Sequence, residues 1–397
     1  MIRYLTAGES HGPELTGIVE GVPAGLPLLE SEIARHLARR QEGYGRGGRM
    51  AFEKDKAIFS SGVRFGKTIG GPISLHMENR AFNKDADGWP VVMTKETEAE
   101  GIEKITLPRP GHADLVGSLK YKFDDIRPVI ERSSARETGM RVACCGIARQ
   151  FLKHFGIEIG GHVIQIGSVG YNNWDDIRNI VDPLVESGAE HVYKTADNSD
   201  VRCLDDNLSE LMRDEIKKER KAGSSLGGIY EIIVTGVPAG LGSYVHWDRK
   251  LDGKIAQAIL GTQAMKGVEI GMGFESARRD GHNVHDEITH NGTDFKRRTN
   301  RSGGIEGGMS TGMPIIIRGA MKPIPTMLNP LSTIDMHTLE ETSTRYERSD
   351  VCALPRAVVV AESAIAPVIA NAFLEKFGGD SIAEIEERYN NYLSSEQ

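Results

Sequence analysis

The sequence is poor in cysteine and has no excess of positive charge. Its four cysteines, two adjacent (Cys144, Cys145) and two isolated (Cys203, Cys352), form neither a disulfide framework nor a C-x-x-C metal pattern. The formal net charge of −8 at pH 7 excludes a general nucleic-acid-binding protein, which needs a basic face to displace counterions from phosphates. Any site for anions must therefore come from local clusters of arginine.

Long apolar runs are also missing. No stretch of about 18 apolar residues occurs, and the start Met1–Tyr4 lacks the charged region and apolar run of a secretory leader. We therefore expect a cytoplasmic protein with reduced thiols. Glycine, in contrast, is abundant, and its 46 residues predict many tight turns and ligand loops lined by backbone.

The blocks RPGHADL and ERSSARET carry the clearest candidate site. The first places His112 in a Pro-Gly turn, and in the second Ser134 and Glu137 have the S-x-x-E spacing of a helix capping box. Backbone N–H groups, hydroxyls and the guanidiniums of Arg132 and Arg136 would make this helix start an anion site. The alternative is a well-capped helix with ordinary surface charges.

Two glycine-rich motifs match known patterns without the context that these patterns require. GESHG at residues 8–12 matches the nucleophile elbow, but no oxyanion loop lies upstream and a second strand replaces the following helix. GYGRGG at residues 43–48 matches the dinucleotide fingerprint, but a helix precedes it and a strand-like segment follows. We therefore predict neither a serine hydrolase nor a Rossmann site.

The same two loops still offer chemistry. His11 lies in a glycine-lined turn where a general acid could meet substrate, and the alternative is a turn histidine bonded to backbone. The second loop carries Arg40, Arg46 and Arg49, which would suit the closing wall of an anionic pocket. A solvated loop is the alternative there.

The six residues GVPAGL occur twice, at 21–26 and at 236–241. Each copy follows a predicted strand and precedes a predicted helix. We therefore predict a single domain with two related halves, about 1–230 and 231–397, and ligands bound between them.

The C-terminal part contains further candidate ligands. The glycine- and hydroxyl-rich loop Asn300–Gly312 and the stiff segment Lys322–Thr326 together suggest a phosphate-sized site, or else two rigid hairpin loops. Asp350, which follows two arginines, would form a surface ion pair, or it would act as a base if it lies in a closed pocket. The histidines at 282–290 lie in a loop without fixed ligand spacing, so no metal site is predicted.

Taken together, eight ordered blocks resemble the longer bacterial branch of the chorismate synthase family over essentially the whole chain. They are GESHG, GYGRGGRM, RPGHADL, ERSSARET, GTQAMKGVEIG, NRSGGIEGGMSTG, KPIPT and RSDVCALPR. The resemblance implies an α/β fold of the α+β type, a β-α-β sandwich of antiparallel sheets and helices with a pseudo-twofold internal repeat. It also implies a homotetramer.

The activity implied by the resemblance is the 1,4-elimination of phosphate from 5-enolpyruvylshikimate 3-phosphate to give chorismate. The family needs reduced FMN for this reaction, although there is no net redox change. Substrate and flavin both carry phosphate, so an acidic protein must gather arginines locally to hold them. The resemblance leaves open whether the protein reduces its own flavin with NADPH or depends on a separate flavin reductase.

The resemblance also assigns roles to individual residues. His11 is placed near the leaving phosphate, His112 near the reduced flavin, and Asp350, with flavin N5, accepts the C6 proton. Arg40 and Arg46 match positions for a nicotinamide phosphate, although Arg49 with them could hold substrate instead. The positions that match FMN-binding residues of the family are Arg132, Ser133, Ser134, Gln263, Ala264, Gly307, Lys322, Pro323, Ile324, Pro325, Thr326 and Arg348.

Two other functions are compatible with parts of this pattern. An NAD(P)H-dependent flavin reductase would oxidise NAD(P)H without any phosphorylated substrate. A non-catalytic module for anions or RNA would bind RNA with a strong dependence on salt, which the net charge argues against.

Overall fold

The computed structural model describes residues 1–45, 55–79, 82, 103–290, 292, 295–344 and 350–395, and Arg46, Arg49 and Arg348 lie outside these ranges. The helices are α1 (Glu30–Gln41), α2 (Asp114–Tyr121), α3 (Arg127–Ser133), α4 (Glu137–His154), α5 (Trp174–Val185), α6 (Ala189–Ala196), α7 (Asp206–Ala222), α8 (Leu251–Leu260), α9 (Leu354–Phe377) and α10 (Ile382–Ser395).

Strands in the described residues form two main sheets and several short hairpins. The strands are β1 (Arg3–Ala7), β2 (Glu14–Glu20), β3 (Ile58–Phe59), β4 (Val63–Arg64), β5 (Lys67–Thr68), β6 (Ile73–Glu78), β7 (Glu158–Ile166), β8 (Val169–Gly170), β9 (Gly228–Thr235), β10 (Met265–Ile270), β11 (Ile288–His290), β12 (Phe295–Arg297), β13 (Ile305–Glu306), β14 (Met309–Ser310), β15 (Ile315–Met321), β16 (Ser332–Ile334) and β17 (Glu341–Ser343). One sheet has the order β1-β2-β6-β3 and the other β10-β15-β9-β7-β8, and all pairings within them are antiparallel.

A layer of helices separates the two sheets. Helix α4 packs on β1 and β2, α9 packs on β7 and β9, and these two helices pack on each other, with α1 and α8 beside them. Because α4 touches both the first sheet and α9, it is apolar nearly all round. Gly17 in β2 permits this close approach, since a Cβ atom there would overlap the Sγ of Cys144. The predicted β-α-β sandwich is confirmed.

Both sheets are built in the same way. Four strands of the first sheet lie in the order β1, β2, β6, β3, and four strands of the second lie in the order β7, β9, β15, β10. In each set, the last strand in the sequence lies between the second and the third. A helix, α1 or α8, follows the second strand of each set, and α4 or α9 follows the fourth. The predicted internal repeat is therefore present in the fold.

The exact division of the chain into halves stays a prediction. A boundary near residue 230 would cut through β9 and separate β7 from its sheet. A boundary between α4 and β7 would leave both sheets whole, and we propose it in place of residue 230.

A buried cluster of charges ties three helices of the central layer together. Glu362 of α9 is fully buried and accepts hydrogen bonds from Arg39 of α1 at 2.6 Å and from Arg149 of α4 at 2.9 Å. Burial alone would raise the pKa of Glu362, but the two guanidiniums lower it below its usual value. The carboxylate is therefore held ionised inside the helix layer.

Helix α9 is the one described helix whose length and hydropathy would also suit a membrane span. Its 24 residues contain a window of mean hydropathy 1.9, of which 83% is buried inside the protein. The helix contains no long uninterrupted apolar run, because Arg356 and Glu362 interrupt it. Its burial between the sheets makes it a core helix.

Candidate active site

His11 lies in the turn between β1 and β2 and is held by a buried carboxylate. The Oε1 atom of Glu131 is 2.8 Å from His11 Nδ1, and Oε2 accepts a hydrogen bond from the His11 backbone N–H at 2.7 Å. Glu131 lies on α3 and its side chain is 4% exposed, whereas that of His11 is 37% exposed. The histidine is therefore partly exposed, and its orientation is fixed from inside the protein.

Two further residues hold the turn around His11. The Nδ2 of Asn79, at the end of β6, donates to the carbonyl oxygens of Glu9 at 3.1 Å and Gly12 at 2.7 Å. The hydroxyl of Ser134 donates to that of Ser10 at 3.1 Å. The GESHG turn is thus bonded to both the first sheet and the start of α4.

The predicted capping box at the start of α4 is not formed. The Oγ of Ser134 accepts from the N–H of Arg136, not from that of Glu137, and it does so at 3.3 Å. The carboxylate of Glu137 instead contacts Thr6 and Gln263, which lie elsewhere in the chain, and Arg141, which lies one turn further along α4. Three of the first N–H groups are already bonded to carbonyls of residues 134–136, so the predicted anion site with open N–H groups is wrong in that respect.

The arginines of this region fall into two classes. Arg132 is exposed and donates to the carbonyl oxygen of Thr6 at 2.7 Å. Arg136 is buried against Asp55 at 2.5 Å, so it supports the fold and does not offer its charge to an anion. Arg40 is also buried and donates to Thr138 Oγ1 at 3.0 Å.

His112 has a carboxylate partner that sequence reasoning did not single out. Asp114, which is fully buried at the start of α2, contacts His112 Nδ1 and accepts from the Nε of Arg109 at 2.8 Å. Burial alone would raise the pKa of Asp114, but hydrogen bonds from His112 and Arg109 lower it well below its usual range. The signal was present, since Asp114 follows His112 by two positions in RPGHADL.

Hydrogen bonds join the two histidine regions. Gln263 Nε2 donates to Glu137 Oε2 at 2.9 Å, and the carbonyl oxygen of the next residue, Ala264, accepts from the Lys322 N–H at 3.0 Å. Lys322 Nζ then donates to the carbonyl oxygen of Gly111, beside His112. The end of the β10–β15 ladder therefore bridges the start of α4 to the His112 turn.

The segment 322–326 borders this bridge. The hydroxyl of Thr326 lies 3.5 Å from Arg109 Nη1, and the carbonyl oxygen of Ile324 accepts from Ser225 Oγ at 2.6 Å. Burial, together with the nearby Lys266, lowers the pKa of Lys322. Pro323 and Pro325 fix the backbone between these contacts.

Asp350 lies near the same segment. Asp350 lies just before α9 and pairs with Arg356 in the first turn of that helix. The backbone N–H of the following residue, Val351, donates to the Gly45 carbonyl oxygen at 2.9 Å. The Val351 carbonyl accepts from the Leu226 N–H at 2.8 Å. Leu226 follows Ser225, whose hydroxyl donates to the Ile324 carbonyl. Asp350 is thus connected through Val351 to segment 322–326 and to Gly45, in the loop after α1. Arg40, predicted to lie in that loop, lies in α1 itself.

Gly307, which matches an FMN-binding position of the family, lies away from the other described positions of that set. It lies in the β13–β14 hairpin, whose Gly308 carbonyl accepts from the N–H of Leu251, the first residue of α8. Gln263 follows the other end of α8, and a ten-residue helix is about 15 Å long. The role of Gly307 stays a prediction.

One buried acceptor in the site is incomplete. The Oε1 of Gln263 is buried and has no hydrogen-bond partner among the described residues, although Nε2 of the same amide is bonded to Glu137. A buried carbonyl oxygen without a donor is costly unless a ligand N–H completes it.

Within the described ranges, no group of three or more His, Cys, Asp or Glu residues could hold a metal ion.

Comparisons with known proteins show which family this chain resembles. Residues 2–374 match the family model described as chorismate synthase. A chorismate synthase of Salinibacter ruber is 55% identical over 394 residues, covering 97% of each chain, and one of Chlorobaculum tepidum is 54% identical over 397 residues, covering 100% of this chain and 98% of its own. A crystal structure of a chorismate synthase, 40% identical, superposes with a TM-score of 0.79 and covers 100% of this chain and 98% of its own. The chain belongs to the chorismate synthase family.

Proposed function

We propose that this site eliminates phosphate from 5-enolpyruvylshikimate 3-phosphate to form chorismate, with FMN in its reduced form and no net redox change. Family membership makes the chain an enzyme, a carbon–oxygen lyase acting on phosphates. The observation that carries the site assignment is the continuous set of contacts from Arg132 through Glu137, Gln263 and Lys322 to His112. Of the eleven described positions that match the family's cofactor site, four take part in these contacts (Arg132, Gln263, Ala264 and Lys322), and six more directly follow Arg132 or Lys322 in the sequence.

The residues present fit FMN. Gln263 Oε1 is a buried acceptor that an imide N–H of the flavin ring would complete. Arg132, which is exposed, and Lys322, which is half-buried, would be cations for its phosphate, and Ser133 and Ser134 would add hydroxyl donors. When bound, the reduced flavin supplies an electron-rich ring that stabilises the electron-poor centre formed as the allylic C–O bond breaks.

The two ends of the elimination need a proton donor and a proton acceptor. His11, protonated, would neutralise the departing phosphate, and its turn is held rigidly by Asn79. Asp350 would accept the C6 proton, and its neighbour Arg356 stabilises the ionised carboxylate that a base requires.

His112 would lie against the cofactor and not against the breaking bond. Arg109 and Asp114 hold its turn, and Lys322 bonds to the preceding Gly111 carbonyl. The turn that carries the ring, and not the ring itself, is therefore bonded to the segment 322–326, which matches the family's flavin-binding residues.

Binding of NADPH or of a substrate anion by Arg40, Arg46 and Arg49 belongs to the same proposal, as do FMN contacts from Arg348 and Gly307. Arg40 already bonds Thr138 in its buried position, so this role requires its guanidinium to exchange partners. We also propose a homotetramer in the cytoplasm. Four buried, unbridged thiols support a reducing compartment.

An anaerobic assay tests the proposal. With 5-enolpyruvylshikimate 3-phosphate and dithionite-reduced FMN, we expect equal release of phosphate and chorismate, and no release with oxidised FMN alone. Absence of both products with reduced FMN would refute the proposal. Oxidised FMN with NADPH, with and without substrate, then shows whether the protein reduces its own flavin, and NADPH oxidation without any elimination would instead favour a flavin reductase.

A further inference from the structure

Glu131 is a buried carboxylate that none of the predicted site assignments uses. Within the described part of the chain, its polar contacts are to one residue, His11, through the ring Nδ1 at 2.8 Å and the backbone N–H at 2.7 Å. The two residues are 120 positions apart in sequence. A buried carboxylate is costly unless donors satisfy it, so this pair would not persist without both contacts.

An ionised carboxylate has only acceptor oxygens, so Glu131 accepts from the His11 backbone N–H and selects the form of the ring that carries a proton on Nδ1. An amide at this position could accept in only one of these two contacts. The Nδ1 proton is then directed to Glu131, and the other ring nitrogen, Nε2, makes no hydrogen bond to Glu131.

The second histidine of the site is supported differently. Asp114 contacts His112 but also accepts from Arg109 through the side-chain Nε at 2.8 Å and the backbone N–H at 3.0 Å. Its charge is therefore shared with a permanent cation, whereas no arginine or lysine in the described residues pairs with Glu131. The charge of Glu131 is left to balance a positive His11 ring.

We propose that Glu131 is a positioning residue for His11. It holds the Nδ1 proton, so that Nε2 carries the proton that passes to an oxygen of the departing phosphate. The ring then becomes a neutral imidazole whose remaining proton is still on Nδ1, bonded to Glu131. This inference rests on the proposed function, in which His11 is the acid.

A double-mutant cycle with His11→Ala, Glu131→Gln and the double variant tests it. His11→Ala is expected to lower kcat by about 10²–10⁴. Glu131→Gln keeps the shape but satisfies only one donor, so kcat should fall by at least about 10-fold while KM for the substrate changes by less than about threefold. In the His11→Ala background, Glu131→Gln should have no further effect on kcat, because its partner is gone.

The control is another histidine–carboxylate pair, His154 and Glu386, which are 2.7 Å apart on the surface. Glu386→Gln should leave kcat unchanged. If Glu131→Gln does not fold, as judged by its thermal transition, Glu131→Asp replaces it and should retain more activity than His11→Ala.

The possible results separate the two claims. A wild-type rate for His11→Ala would refute the acid assignment in the proposed function. A slow His11→Ala with a wild-type kcat for Glu131→Gln would overturn only the role of Glu131, and so would an equal loss from Glu131→Gln in both backgrounds.

Discussion

Thr68 and Ser310 make the same two hydrogen bonds in the two halves of the repeat. Thr68 Oγ1 donates to the Pro23 carbonyl at 2.6 Å and accepts from the Leu26 N–H at 3.0 Å. Ser310 Oγ donates to the Pro238 carbonyl at 2.6 Å and accepts from the Leu241 N–H at 2.8 Å. A hydroxyl from a hairpin therefore closes each GVPAGL turn, which explains why the six residues recur as a unit.

Removing either hydroxyl should destabilise the protein by a similar amount. Thr68→Val and Ser310→Ala each leave a buried N–H and a buried carbonyl without their partner, which costs about 1–3 kcal/mol. Chemical denaturation of the two single variants should show both losses. A cost for one turn and none for the other would show that the two contacts are not equivalent.

The Gln263 amide should contribute to cofactor affinity through its unsatisfied oxygen. We expect Gln263→Ala to raise the Kd for FMN about fivefold, the equivalent of one net hydrogen bond. Fluorescence titration with FMN measures it. The matched control is Gln257→Ala on the exposed side of α8, which should bind FMN like the wild type, and equal Kd values for both variants would remove Gln263 from the site.

Lys322 should act as a point charge towards phosphate. Lys322→Gln is expected to raise the Kd for FMN about tenfold at low salt, with a smaller difference at high ionic strength because salt screens the lost attraction. Lys217→Gln on α7, which pairs with Asp214 at the surface, is the control. A Kd that does not depend on residue 322 at any ionic strength would contradict the assignment.

Asp114 should make stability depend on pH in a definite direction. Its folded-state pKa lies below the usual value of 3.8, so its contribution is present above about pH 3.8 and is lost as the pH falls further. Asp114→Asn leaves Arg109 without its buried partner and should cost about 3 kcal/mol near neutral pH. Urea unfolding measures the difference between wild type and variant, which should shrink below about pH 3.8. Asp214→Asn, a surface change, should be within about 0.5 kcal/mol of wild type at every pH, and a difference for Asp114→Asn that grows on acidification would be contrary to this account.

Local signals in the sequence predicted the elements well. The strand and helix around each GVPAGL copy and the long apolar helix α9 were all predictable, because their patterns depend on neighbouring residues. The repeat was predictable for the same reason. The boundary between the halves stays a prediction, since strand order within a sheet is a tertiary property.

The partners of the site residues were much harder to predict. Glu137 had the spacing of a cap, yet Thr6 and Gln263, more than 120 positions away, take its carboxylate. Arg136 likewise bonds Asp55 instead of offering its charge to a ligand. A spacing rule considers only the partners that a side chain has within a few residues of sequence. Buried partners from elsewhere in the chain form stronger contacts, and the rule does not include them.

The charge cluster of Glu362 with Arg39 and Arg149 has a consequence for heat resistance. The hydration that such groups lose on burial becomes less favourable with rising temperature, so the net contribution of the cluster increases as the protein warms. Helix α4 follows directly on the residues that hold the His11 turn, and α9 follows Asp350. Warming should therefore loosen exposed loops well before it alters the spacing between the proposed acid and the proposed base.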